Sequence, residues 1–161
     1  MFDTTNYFFN KKVLDYKPET GIDDQAVVYK LRKSWDDEEV KVEELISKFC
    51  AEPKAAEVTE LVIGAWDLES GPADKTIATL VEHADKLPHL KALYFGDIDS
   101  EESELSWIEN GNIRPILDAF PQLEHFQVKG GNHLSFGKNY QSENLKSLIV
   151  ETGGMNASIL E

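Results

Sequence analysis

The phrase Leu-Pro-His-Leu-Lys-Ala-Leu-Tyr-Phe, starting at Leu87, returns 33 residues later as Phe-Pro-Gln-Leu-Glu-His-Phe-Gln-Val from Phe120. A recurrence of that length constrains the fold more than any composition does, because one such unit cannot bury its own apolar face and must stack on a copy of itself. The spacing apolar-x-x-apolar-x-apolar occurs at Val58, Leu61, Ile63; at Leu90, Leu93, Phe95; at Leu123, Phe126, Val128; and at Leu145, Leu148, Val150. Successive starts lie 32, 33 and 22 residues apart. Apolar residues on alternate positions read as short, half-buried strands.

Between these strands the apolar spacing changes to that of a helix. Val42, Leu45, Ile46 and Phe49 stand at i, i+3, i+4 and i+7, as do Ile77, Leu80, Val81 and Ala84, and Ile113, Ile116, Leu117 and Phe120. Start signals accompany them: Asp36 with Glu39 as a capping box, Pro72 at a first helical position, and Asn112 as N-cap ahead of Pro115. Leu87-Pro88 and Phe120-Pro121 end two of the helices and turn the chain into the next strand. The last interval, from Val128 to Leu145, is rich in turn-forming residues and too short for a helix. An earlier, less regular strand from Ala26 and a helix over roughly residues 37–50 form an N-terminal cap. The first 21 residues read as a hairpin laid over that first strand or as a loosely attached arm.

The predicted class is therefore α/β, as one domain over residues 1–161 with a capping region at 1–56 and repeat units at 57–161. The repeated strands alternating with helices resemble a short leucine-rich-repeat solenoid, with a parallel concave sheet, helices on the convex side and an irregular N-terminal cap. More narrowly, "LVIGAW", "LKALYFGDIDSEESELSWI", "LKSLIVETGG" and "LRKSWDD" resemble a bacterial leucine-rich-repeat family of unassigned activity. That resemblance implies a fold and no mechanism.

If Leu61, Leu93, Phe126 and Leu148 point inward, the alternate residues point out of the concave face. The apolar members of that outward set are Val62, Tyr94 and Ile149, and its polar members include His125, Gln127, Lys129 and Glu151. Apolar groups on a wet face mark a contact surface, with tyrosine a frequent anchor, unless the N-terminal arm or a second subunit covers them. The loop after the second repeat adds Asp97, Asp99, Glu101 and Glu102 for a basic partner. Trp35, Trp66 and Trp107 are expected in the core.

With 16 Lys and Arg against 30 Asp and Glu, the net charge of -14 excludes a phosphate-backbone partner and favours a basic protein or none. The single Cys50 closes an apolar helical stripe, where a thiol is inert. The acidic loop lacks the glycine and late glutamate of a calcium loop. Neither a zinc spacing nor a phosphate loop occurs, so no metal or cofactor is expected. The start lacks a secretory signal and no apolar run is long enough to span a bilayer, so a cytoplasmic protein is expected.

These readings converge on a non-enzymatic protein-binding module contacting its partner through Val62, Tyr94, Asp97, Asp99, His125, Gln127, Lys129, Ile149 and Glu151. An acidic inhibitor or immunity-type protein against a basic toxin or nuclease is the alternative. A hydrolase built on His125 or His133 is a third reading. Homodimerisation through the C-terminal strand edge would close an uncapped last unit.

Overall fold

A computed structural model describes residues 6–24, 26–33, 39–68, 71–99, 103, 107–131, 133–138 and 140–152. Ser34, Trp35, Asp36, Glu101, Glu102, Gly153 and the Asn156–Ser158 sequon lie outside the described residues. Seven strands form one sheet in simple sequence order: β1 (Tyr7–Phe8), β2 (Lys11–Asp15), β3 (Val27–Leu31), β4 (Glu60–Ile63), β5 (Ala92–Phe95), β6 (His125–Gly130) and β7 (Ser147–Thr152). Three helices connect them: α1 (Val42–Ala51) between β3 and β4, α2 (Asp74–Glu82) between β4 and β5, and α3 (Arg114–Ala119) between β5 and β6. The chain is thus a mixed α/β fold. Among the described residues no helix is long and apolar enough to cross a membrane.

Sheet register follows the repeated phrase. Leu61, Leu93, Phe126 and Leu148 are successive partners across β4 to β7, and Ile63, Phe95, Val128 and Val150 form the next row. All three helical stripes pack on that side of the sheet. Leu45, Ile46, Phe49, Ile77, Leu80, Ile116 and Leu117 share one core with Leu31, Leu61, Leu93 and Phe126. At about 1.5–3 kcal/mol for each fully buried large aliphatic or aromatic side chain, this shared layer dominates the fold's stability. Trp66 belongs to it and stacks on Phe95 at 5.3 Å. Trp107, expected inside, is 67% exposed instead.

Helix boundaries depart from the sequence signals. The first helix starts at Val42 with Lys41 at the N-cap and no side-chain cap, beyond the expected capping box. Its ends are supported by charge, with Glu43 and Glu44 in the first turn and Lys48 in the last, as the helix dipole favours. The second helix begins at Asp74, two residues after Pro72. In the third, Ile113 rather than Asn112 is the N-cap, and the Asn112 side chain accepts the Arg114 amide at 3.1 Å.

Two further corrections concern the sheet. It is not wholly parallel: β1 runs antiparallel to β2, because Phe9 and Asn10 both adopt left-handed backbone (φ 52° and 60°) and reverse the chain in a tight turn. And Leu148, although in register with the inner row, is 50% exposed, because no helix follows β6 to cover it.

Candidate functional site

The face of the sheet opposite the helices is not an open surface. Phe8 and Phe9 lie against His125 of β6, with ring centroids 5.6 Å and 5.0 Å apart, and Phe8 also meets Tyr94 at 6.2 Å. Between β1 and β6 lie five strand spacings, roughly 24 Å in a flat sheet at about 4.8 Å each. Contact across that distance requires the sheet to curl, so its inner face becomes a hollow with the β1–β2 hairpin across its mouth. Phe8, 6% exposed, joins Val28, Val62, Ala92 and Tyr94 in a second apolar cluster, with Val13 packed against it.

Placing Phe9 in left-handed backbone costs about 1–2 kcal/mol. Burying Phe8 returns about 1.5–3 kcal/mol, with a further 0.5–1.5 kcal/mol for each well-oriented aromatic pair. The gain exceeds the strain, which is why the hairpin stays docked. Neighbouring Tyr7 and Phe9 are left 68% and 52% exposed at the rim.

Beyond this apolar plug, toward the carboxyl ends of the strands, the hollow is ionic. Lys30 Nζ meets Asp97 Oδ2 at 3.1 Å with side chains 5% and 0% exposed. The lysine reaches its partner only because position 64 is glycine: a Cβ there would stand 2.7 Å from Lys30 Cε and from Arg32 Cβ. At the rim, Arg32 grips Asp15 through Nε and Nη2 at 3.0 and 2.9 Å. Tyr94 Oη donates to Glu151 at 2.8 Å and Gln127 Nε2 to its other oxygen at 3.2 Å. His125 Nε2 stands 3.4 Å from Gln127 Oε1. Asn110, fully buried, donates to the Lys129 carbonyl and accepts from the Gly131 amide, both at 2.8 Å, tying the loop before α3 to the end of β6.

This placement corrects several expectations. Val62, Tyr94, Asp97 and Lys129, expected to project toward a partner, are all buried. Asp97 belongs to no presented acidic loop, since it is the counter-ion of Lys30. His125, Gln127, Glu151 and Asp99 are half-buried, and Ile149 is 40% exposed. The expected contact surface therefore divides into a sealed interior and an accessible strip along β6 and β7. Sequence reading missed the tie made by Asn110 and the plug made by Phe8. The glycines at the ends of β4 and β5, Gly64 and Gly96, were the available signal that side chains cross there.

Little in this arrangement resembles reaction machinery. His125 faces Phe8, Phe9 and Gln127, whereas His133 pairs with Glu109 at 3.9 Å and is 71% exposed, so the two histidines have separate surroundings. Among the described residues no group of three or more His, Cys, Asp or Glu side chains gathers as metal ligands would. Burial, reinforced by Asp85, pushes the Cys50 thiol up to about 12, leaving almost no thiolate near neutrality. Labelling of the native protein with a maleimide at pH 8 is therefore expected to be at least tenfold slower than in denaturant. Equal rates would place the thiol at the surface.

No family model and no curated protein matches the chain. It is similar to a Bacteroides fragilis protein of known crystal structure, with 36% sequence identity and a TM-score of 0.73 over 81% of this chain. The match covers 37% of that protein, so this chain spans little more than a third of its length. The likeness is one of fold and sequence, and the neighbour brings no activity with it.

Proposed function

We propose that the chain is a non-catalytic protein-binding module of leucine-rich-repeat-like build, with its contact surface on the strip where the β1 turn meets β6 and β7. One observation carries the reading. Large apolar side chains gather exposed on this strip, Tyr7, Phe9 and Ile149 beside half-buried His125 and Gln127, whereas Val62 and Tyr94 in the same sheet rows are sealed. Exposed aromatic groups bordered by polar ones are the composition of a binding patch. Lys129 and Asp97 support the strip from beneath and do not touch the partner.

The net charge of -14 favours a partner that brings basic residues around an apolar anchor. The same charge supports the second reading, an acidic inhibitor of a basic toxin or nuclease. Capture of a partner from the source cell on tagged protein tests the surface. Phe9→Ser and His125→Ala are expected to lower retention at least tenfold, while Leu14→Ser, an exposed apolar site on β2, leaves it unchanged. Retention insensitive to both rim variants would remove the strip from consideration. Raising salt is expected to weaken the complex, and salt-insensitive binding would argue against a basic partner.

A further inference from the structure

The last strand of the sheet has an edge that nothing in its own sequence protects. Leu148 is 50% exposed and Ile149 40%, although their rows in the preceding strands are sealed at Phe126, Leu93 and Leu61 and at Tyr94 and Val62. Strand β7 is hydrogen-bonded to β6 along its length, and among the described residues no strand pairs with its other side. Natural edges are blocked by lysine, proline, a bulge or an inward charge. Ser147–Thr152 contains no lysine and no proline, and its one charge, Glu151, accepts hydrogen bonds from Tyr94 and Gln127 inside the hollow.

We propose that this edge joins two copies of the chain as an antiparallel β7–β7 pair about a twofold axis at Ile149. Residues opposed in an antiparallel pair share a face, which restricts the registers available. Centring on Ile149 sets it against its own copy, Leu148 against Val150 on the helix side, and Ser147 against Glu151 on the hollow side. Every opposition is then apolar on apolar, or hydroxyl donor on carboxylate. Moving the axis to Val150 sets Ile149 against Glu151 and Leu148 against Thr152. Moving it to Leu148 sets Val150 against Lys146. Only the Ile149 register matches chemistry on both faces, and a twofold contact closes where a head-to-tail one would propagate.

The strand suits a second copy better than it suits the basic partner of the contact strip. Its single carboxylate is already engaged, and the adjacent Lys146 pairs with Glu124 at 2.6 Å, so the edge offers a cation nothing. Two chains of charge -14 repel everywhere else, and the contact is small. Self-association is therefore weak and strengthens with salt, opposite in sign to the effect expected for a basic partner.

Sedimentation of the full chain over a wide concentration range, at low and high salt, tests the proposal. The expected result is a monomer–dimer equilibrium that salt tightens, weakened at least tenfold by Leu148→Lys, which lies on the helix side and leaves the hollow untouched. Ile149→Cys is expected to form an intermolecular disulfide at the twofold axis. Opposed Cα atoms of an antiparallel pair stand about 4.5–5.5 Å apart, within disulfide reach, and native Cys50 is buried. A monomer at every concentration overturns the proposal. So does a dimer indifferent to Leu148→Lys, or Ile149→Cys coupling no faster than a cysteine at Leu14. Neither result bears on the rim variants Phe9→Ser and His125→Ala.

Discussion

Replacing Asp97 by alanine is expected to cost the folded state about 3–5 kcal/mol, because it leaves the Lys30 ammonium without its printed counter-ion inside the curled sheet. For a chain of 161 residues, about 2–4 °C of melting temperature per kcal/mol makes this a fall of roughly 6–20 °C. The penalty is large because neither partner can turn to water: the side chains are 5% and 0% exposed, and the strands that hold them are paired on both sides. Removing both charges tests whether the cost lies in the orphaned ion. Lys30→Met with Asp97→Leu is expected to recover most of the loss, since an apolar pair of similar volume needs no counter-charge. Thermal and urea denaturation of the three variants measure this. A loss under about 1 kcal/mol for Asp97→Ala would mean that the pair behaves as a solvated surface bridge.

The same residue shows where sequence reading reached its limit. Alternation told correctly that Leu61, Leu93 and Phe126 share one face and that Val62, Tyr94 and Gln127 share the other, because a strand has only two faces and the apolar rows must bury together. It could not tell whether the second face meets water. A polar residue beside glycine looks alike on a flat wet sheet and inside a tight curl, and curvature depends on long-range contacts that no local pattern records. Asp97 was therefore read as part of an acidic loop, and Lys129 as an exposed charge. Leu148 repeats the lesson in the opposite direction. Its place in the phrase is that of a core residue, yet burial is supplied by the following helix, and only a turn-rich segment stands between β6 and β7. The hairpin was legible only in outline: "NYFF" and "VLDY" gave two extended pieces, while the reversal rests on left-handed Phe9 and Asn10, an uncommon conformation that a phenylalanine does not advertise.

Phe8→Ala is expected to destabilise the protein by about 3 kcal/mol, the lower end for removing a buried phenylalanine ring. The loss is capped by an alternative open to few core residues: the hairpin can leave. Once Phe8 no longer fills the hollow, β1 keeps only its short pairing with β2, and the strained turn has nothing to offset it. The variant should then expose Val28, Val62, Ala92 and Tyr94 together, and bind a hydrophobic dye that the parent does not. Hydrogen exchange should localise the change. The Val13 amide, bonded to the Asn6 carbonyl at 2.9 Å, loses protection, while amides between β4, β5 and β6 keep theirs. Phe8→Leu, which retains most of the apolar volume, is expected to recover more than half of the stability. Dye binding and Val13 protection unchanged in Phe8→Ala would mean that the hairpin is held by other contacts. The hollow would then be closed by the curl of the sheet itself, and rim exposure at Tyr7 and Phe9 would reflect a fixed surface, not the outer side of a removable plug.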